Sequence, residues 1–432
     1  MSKKQIDALV EIFRKGNFLY ALKMCKDLIK EYKNEPFLYN LKGMTEIKLN
    51  EFENSVSSFE NAIKIKPQYV EAYNNLATTF INLGKFEDAI KYLRKAINLK
   101  PDYANAYNNL ASAQSDLGNY NDAINSFNVL LKIQPNYPGV KENIIKILTF
   151  FKPKNSDLNI YTSLNNTIQK LSINKQINEE GIINVYKKMH NIVSDHLNDL
   201  NFNFSQIWRR NKIDLNCSRH FDVFRNFNVI PEFCFSCFKV QIELKNLVDL
   251  FKLYFLFDNI SFTNNKSRKC FVELRKIGRG NYKGLIYCSS FVEANQIKQL
   301  IYDFAEKSLK DNIIINLKRG CTEFGNAYPE YNNLEKTEDK FMKYKKEWKD
   351  KEDIVDRKLP KKNRINQRIL NNSIGGFTLN DFLIMKNWVM YAKKIGDMDY
   401  AKFDKDIKIS NYIHEELSDQ LNFRKGELKK NF

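Results

Sequence analysis

Residues 70–137 hold one 34-residue unit twice in tandem. Laid over each other, the copies match at Tyr73/Tyr107, Leu76/Leu110, Ala77/Ala111, Leu83/Leu117, Gly84/Gly118, Ala89/Ala123 and Pro101/Pro135. A fixed period of this length predicts helix–turn–helix units that bury their apolar faces only by stacking on neighbours. The frame extends upstream. Residues 36–69 set Tyr39, Gly43, Phe59, Ala62 and Pro67 at the matching positions, and residues 2–35 keep Ala21 and the turn Gly16-Asn17-Phe18. A degenerate first copy suits a capping unit. Downstream, residues 140–151 are amphipathic and predict a closing helix, ended by Lys152-Pro153-Lys154.

The pattern puts an aromatic at the fourth position, Leu and a small residue at the seventh and eighth, Ala at the twentieth and Pro at the thirty-second. In this it resembles the tetratricopeptide repeat (TPR) family. The resemblance implies an α-helical solenoid of four repeats plus a closing helix over residues 1–152, with a concave face lined by the first helix of each repeat. It also implies a protein or peptide partner. The sixth position carries Asn75 and Asn109, where members of the family use asparagines to grip the backbone of an extended peptide. An amide suits this because it offers donor and acceptor side by side. Asn74 and Asn108 stand beside them, so the candidate partner-binding residues are Asn74, Asn75, Asn108 and Asn109. The second repeat breaks the row with Leu41, and Tyr73 and Tyr107 read as core.

Composition narrows the class. The 432 residues are 43% hydrophobic and 28% charged, as in folded soluble proteins. No segment is long and apolar enough to predict membrane insertion, and the first residues lack a signal-peptide pattern. A cytoplasmic location follows as the expectation. The net charge of +18 favours polyanionic or acidic partners, with an acid-free run from Arg357 to Arg368. Seven cysteines in a reducing compartment argue against a disulfide framework.

Residues 153–232 predict a helical linker region; His190 and His196 within it lie off the spacing of two helical metal ligands. Residues 233–320 predict strand, helix, strand, strand, helix, strand. That order is the ferredoxin-like split β-α-β-β-α-β unit of an α+β domain. Alternation places Phe238, Val240, Ile242, Val272, Leu285, Tyr287 and Ile315 towards the helices. It leaves Lys239, Phe271, Tyr282, Ile286, Cys288 and Lys318 on the other face. Residues 321–432 predict a charged, basic helical extension. Its helix from Leu379 to Ile395, capped by Thr378 and Asp381, is apolar enough to need a docking surface, and the open sheet face is the expected one.

Cys217, His220, Cys234 and Cys237 supply four ligands with spacing suited to zinc or an iron–sulfur cluster. Buried structural thiols are the alternative, since CFSC has no glycine to turn a knuckle. Cys321, after Lys318 and Arg319, is a candidate activated thiol. The stretch from Gly284 to Ala294 resembles part of an RNA-recognition motif, but Lys283 and Leu285 stand where that motif has stacking aromatics. His220, Asp222, His414 and Arg424 resemble the ligand set of iron- and 2-oxoglutarate-dependent oxygenases without their strand context. Phosphate-loop, dinucleotide and nucleophile-elbow motifs are absent. The sequence therefore points to a non-catalytic adaptor or scaffold. A metal-binding enzyme or sensor with a TPR targeting arm is the alternative, and sequence-tolerant RNA binding by the middle domain is a second.

Overall fold

The computed structural model describes the chain except residues 154–158, 172–177, 200–201, 210, 263–265, 277, 310–312, 335–337, 360–367, 373–374 and 431–432. Most of the acid-free basic run therefore lies outside the described residues. The chain forms two compact units, one built on Met1–Ile147 and the other on Leu148–Asp353 with the C-terminal segment.

The first unit is a row of helix pairs: α1 (Lys3–Arg14), α2 (Phe18–Glu31), α3 (Pro36–Lys48), α4 (Phe52–Ile65), α5 (Val70–Asn82), α6 (Phe86–Leu99), α7 (Ala104–Asp116) and α8 (Tyr120–Ile133). The helix α9 (Val140–Ile147) closes against α8. Between the helices of each pair one residue turns left-handed: Gly16, Asn50, Gly84 and Gly118, with φ of 77°, 61°, 75° and 80°. Glycine, or asparagine, is what that conformation admits at low cost. The weak first copy thus keeps the same joint. Packing explains the small residues. A Cβ on Gly43 would sit 2.7 Å from the Phe59 ring, so the eighth position must be small where a bulky side chain crosses from the second helix. Three of the four pairs are also linked in their own ways: Ser58 donates to Glu46 (2.6 Å), Tyr92 stacks on Phe80 (5.5 Å) and Ser126 donates to Gln114 (2.7 Å).

The second unit opens with α10 (Ile160–Gln169), α11 (Glu179–Val193), β1 (Gln206–Arg209), β2 (Asn211–Asp214) and α12 (Cys217–Phe227). Then come β3 (Phe238–Leu244), α13 (Leu247–Asn259), β4 (Arg268–Val272), β5 (Tyr282–Cys288), α14 (Phe291–Ser308) and β6 (Ile313–Arg319). The chain ends through α15 (Thr322–Ala327), α16 (Lys349–Lys358), β7 (Arg368–Asn372), α17 (Leu379–Ile395), α18 (Tyr400–Asp404), α19 (Asn411–Leu417) and α20 (Leu421–Leu428). Five strands form one antiparallel sheet in the order β1-β4-β5-β3-β6, and β2 pairs with β7 in a separate ribbon. Two strands, β1 and β2, therefore occupy the segment expected to be a helical linker, and β7 interrupts the expected helical extension.

The face assignment holds for β3, β4 and β6 and is inverted for β5. Gly284 pairs with Ile242 and Cys270, so these three share one face. A Cβ on Gly284 would lie 2.4 Å from Leu253 of α13; only glycine lets that helix approach. Tyr282, Ile286 and Cys288 consequently face the helices, while Leu285 and Tyr287 turn to the other face with Lys239. A shift of one residue reverses every side chain of a strand.

The helix α17 is the second correction. It packs on the helix-covered side of the sheet, not on the open face. Leu379 donates its backbone N–H to Asn165 of α10 (2.9 Å), Phe251 of α13 meets Trp388 edge-on, and Tyr282 meets Tyr391 likewise. We expect Gly284→Ala to destabilise the protein by about 1–3 kcal/mol through overpacking, read as a lower midpoint in urea unfolding. An unchanged midpoint would mean that β5 presents the opposite face.

Candidate functional site

Along the repeats, the candidate asparagines lie on α5 and α7, which are neighbours, and α5 also touches α3. Three of them bond within the row, in two separate pairs. The Asn75 amide donates to Asn40 Oδ1 (3.0 Å), and the Asn109 amide donates to Asn74 Oδ1 (2.9 Å) and Thr78 Oγ1 (3.3 Å). Asn74 is buried, whereas Asn75, Asn108 and Asn109 are half-buried. Leu41 at the sixth position is thus offset by Asn40 at the fifth, which continues the row by one step.

In the second unit, Cys217, His220, Cys234 and Cys237 all line one small cavity, together with Cys321 and Lys239. Local structure explains how they converge. Residues 232–236 form a 3₁₀ turn, not the start of a strand, and the Cys237 N–H reaches the Cys234 carbonyl (3.3 Å). The two thiols of C-x-x-C can therefore approach one point. Glu352 holds the turn against α12: one oxygen meets Arg219 (3.0 Å) and the other accepts from the Glu232 N–H (2.9 Å). Gly320 N–H bonds to the Cys237 carbonyl (2.7 Å), which brings in Cys321. Gly320 has φ +54°, and a Cβ there would meet the Tyr331 hydroxyl. His220 is buried and its ring stacks on Phe233 at 5.4 Å.

Lys239 enters the cavity wall at 8% exposure and donates to the Gly320 carbonyl (2.8 Å). Burial opposes its charge, but the nearby Cys237 and Cys321 sulfurs outweigh that and hold the ammonium above its usual value. The Cys321 thiol is drawn down to about 6, first by a hydrogen bond from Cys217 and then by Lys239 and Lys318, while Cys217 is pushed up. Burial raises Cys234 and Cys237. Sequence spacing missed Cys321 and Lys239 as members of this cluster.

The sheet face continuing from Lys239 carries Lys269 and Lys318. Burial, then Lys239 and Arg275, depress Lys269 to about 7 and Lys318 to about 8. Lys269 lies over the Trp208 ring (4.9 Å), which stacks on Tyr287 (5.5 Å). The β5 register puts Lys283, Leu285 and Tyr287 on this face, so the two positions compared with the RNA-recognition motif carry no ring and Tyr287 stands outside that comparison. His414 and Arg424 are not assembled with His220: Arg424 is buried and bonded to the carbonyls of Gly278 (2.8 Å) and Gly280 (3.1 Å).

Two family models for the tetratricopeptide repeat match residues 38–69 and 68–136. Residues 38–136 are TPR repeats. Among solved structures, MamA is similar at 23% identity over 31% of this chain and 78% of that one, with a TM-score of 0.30. MamA from Desulfovibrio magneticus RS-1 shares 18% over 34% and 82%, with a TM-score of 0.32. The first TPR of Spaghetti (RPAP3), bound to an HSP90 peptide, shares 20% over 26% and 89%, with a TM-score of 0.26. No curated protein matches the chain. No helix among the described residues is long and apolar enough to cross a membrane.

Glu273, just past β4, anchors the edge of the open face. It is 1% exposed and accepts from Arg275 (2.7 and 2.9 Å) and Lys283 (2.9 Å). Burial alone would raise its carboxyl, but Arg275 and Lys283 hold it at about 2, below its usual 4.5. A depressed carboxyl stabilises the fold above pH 4.5, and the contribution disappears as pH falls towards 2. In urea unfolding at pH 7 and pH 3 we expect Glu273→Gln to have lost this component, on the order of 3 kcal/mol at most. Equal pH dependence in both proteins would contradict the assignment.

Proposed function

We propose that the chain is a protein-interaction adaptor that captures a partner segment with its repeat array. The row of mutually bonded amides on α3, α5 and α7 carries this reading, because it lies on the first helices of segments that match TPR models. Two separate bonds, Asn75 to Asn40 and Asn109 to Asn74, fix the orientation of these amides and lower the side-chain ordering cost of gripping an extended backbone. The net charge of +18 favours an acidic segment by long-range attraction. No catalytic step is assigned. All seven cysteines are free thiols, which suits a reducing compartment and supports a cytoplasmic location.

For the second unit we propose the ferredoxin-like split unit with one added edge strand. Supporting it, β4-β5-β3-β6 run antiparallel in that order, with α13 joining β3 to β4 and α14 joining β5 to β6.

The test is selection of peptides from a random library on the full chain, followed by titration of the enriched peptides. We expect the double variant Asn75→Ala/Asn109→Ala to bind about tenfold more weakly or worse, as lost amide hydrogen bonds require. Lys91→Ala, an exposed change on the second helix of the same repeat, should bind as the parent does. Peptides that bind parent and double variant equally would refute the proposed face.

A further inference from the structure

We propose that Cys217, Cys234, Cys237 and Cys321 form a binding site for one thiophilic divalent ion, of which zinc is the first choice. The four thiols come from three distant segments, the start of α12, the turn before β3 and the second residue after β6, and all line one cavity. Four sulfur ligands with two in C-x-x-C are the donor set of tetrahedral structural zinc. Cys321 replaces His220 in the set suggested by spacing alone. His220 lies against Phe233 with its ring 25° from parallel, a packed arrangement.

Size selects the occupant. The cavity measures about 10 Å³, room for a single water-sized body. That suits one ion. Charge agrees. Four thiolates around a divalent ion carry a net charge of −2, and no carboxylate lines the cavity, whereas buried Lys239 does. A cation at the wall is what an anionic tetrathiolate needs in a medium of low dielectric constant. Lys318, opposite Lys239 on β6, adds a second positive group.

Among the described residues no three His, Cys, Asp or Glu side chains already stand gathered around a point. Binding therefore includes a closing step. One χ1 rotation moves a cysteine Sγ by about 3 Å, so side-chain turns alone can bring sulfurs that line one cavity onto one ion. Four S–H protons pass to solvent, the hydrated ion gives up its waters, and four metal–sulfur bonds form.

The full chain, purified under reducing conditions without an affinity-metal step and stripped with chelator, is titrated with cobalt(II) and then zinc(II). We expect about one ion per chain, with the intense thiolate-to-cobalt charge-transfer absorption of a tetrahedral thiolate site that zinc abolishes. Cys321→Ser and Cys237→Ser should lose that absorption, while His220→Ala and the control Cys288→Ser should keep it. Should a serine variant fail to fold, alkylation mapping of the parent decides: zinc should protect Cys217, Cys234, Cys237 and Cys321 and leave Cys288 as it was. Absence of a cobalt–thiolate band in the parent overturns the proposal. So does a bound chromophore containing iron and sulfide, loss of binding in His220→Ala with retention in Cys321→Ser, or a Cys217–Cys321 disulfide in a parent that takes up no metal when reduced.

Discussion

A guanidinium with no solvent exposure must find its counter-charges inside the protein, and Arg209 at the end of β1 finds two. It is bonded to Asp381 of α17 at 3.3 Å and ion-paired with Asp258 of α13, and its plane lies 4.9 Å over the Tyr254 ring. Tyr254 also donates to Asp381 (3.1 Å), whose carboxylate doubles as the capping group of α17 with Thr378. Removing one member of such a set leaves a buried charge uncompensated, at a cost of about 3–5 kcal/mol. The set ties a sheet edge, the first crossover helix and a helix far along the chain to one point. Bonds further along α17 extend the same seam: Trp388 donates to the Ser205 carbonyl (2.8 Å) and Asn387 to those of Phe202 (2.6 Å) and Phe204 (2.8 Å). What the composition marks as an extension is therefore structural core.

Legibility in the sequence followed the range of the interactions. The repeats are specified within 34 residues, by the left-handed joint, the small eighth position and the crossing aromatic. The joint and the small eighth position can be read in one copy and checked in the next, whereas the crossing aromatic Phe59 gives way to Leu93 before returning as Phe127, and the joint shows even in the weak first copy. In the second unit the order of strands and helices between 238 and 319 was legible from alternation and helical spacing. The register of β5 was not. Its residues are apolar on both faces, so hydrophobicity could not choose, and the choice fell to Gly284 and the approach of α13. Four residues of β1 give too little alternation to declare a strand, and its partner β4 lies some sixty residues away. The docking of α17 depends on a pair 172 residues apart, which no local pattern reports.

The cysteine cluster shows the same limit at the scale of a site. Cys217, His220, Cys234 and Cys237 lie close enough in sequence to suggest a set. Cys321 stands alone in KRGC and reads as an isolated thiol. Only the pairing of β3 with β6, which sets Phe238 against Arg319, places Cys321, the second residue after β6, beside the turn before β3. His220 and Cys321 both line the cavity, but the first stands three residues from Cys217 in the sequence, whereas the second is brought there only by the fold.

That pairing also opposes Lys239 to Lys318 across neighbouring strands. Like charges directly opposite each other destabilise a sheet, and Lys318 is depressed to about 8 first by burial and then by this repulsion from Lys239. Neighbouring groups soften it only in part. The Gly320 carbonyl and the Thr322 hydroxyl accept hydrogen bonds from the two ammonium groups but bring no charge. The groups near Lys239 that can turn anionic are the thiols, and Cys321, drawn down to about 6, lies between the two lysines in effect. Neutral thiols would leave two cations, Lys239 buried and Lys318 half-buried, opposite each other on neighbouring strands, which lie ~4.7–4.9 Å apart in any sheet. A thiolate at Cys321 eases the conflict, so the lysines and that cysteine are better understood as one electrostatic unit than as a basic face next to a group of buried sulfurs.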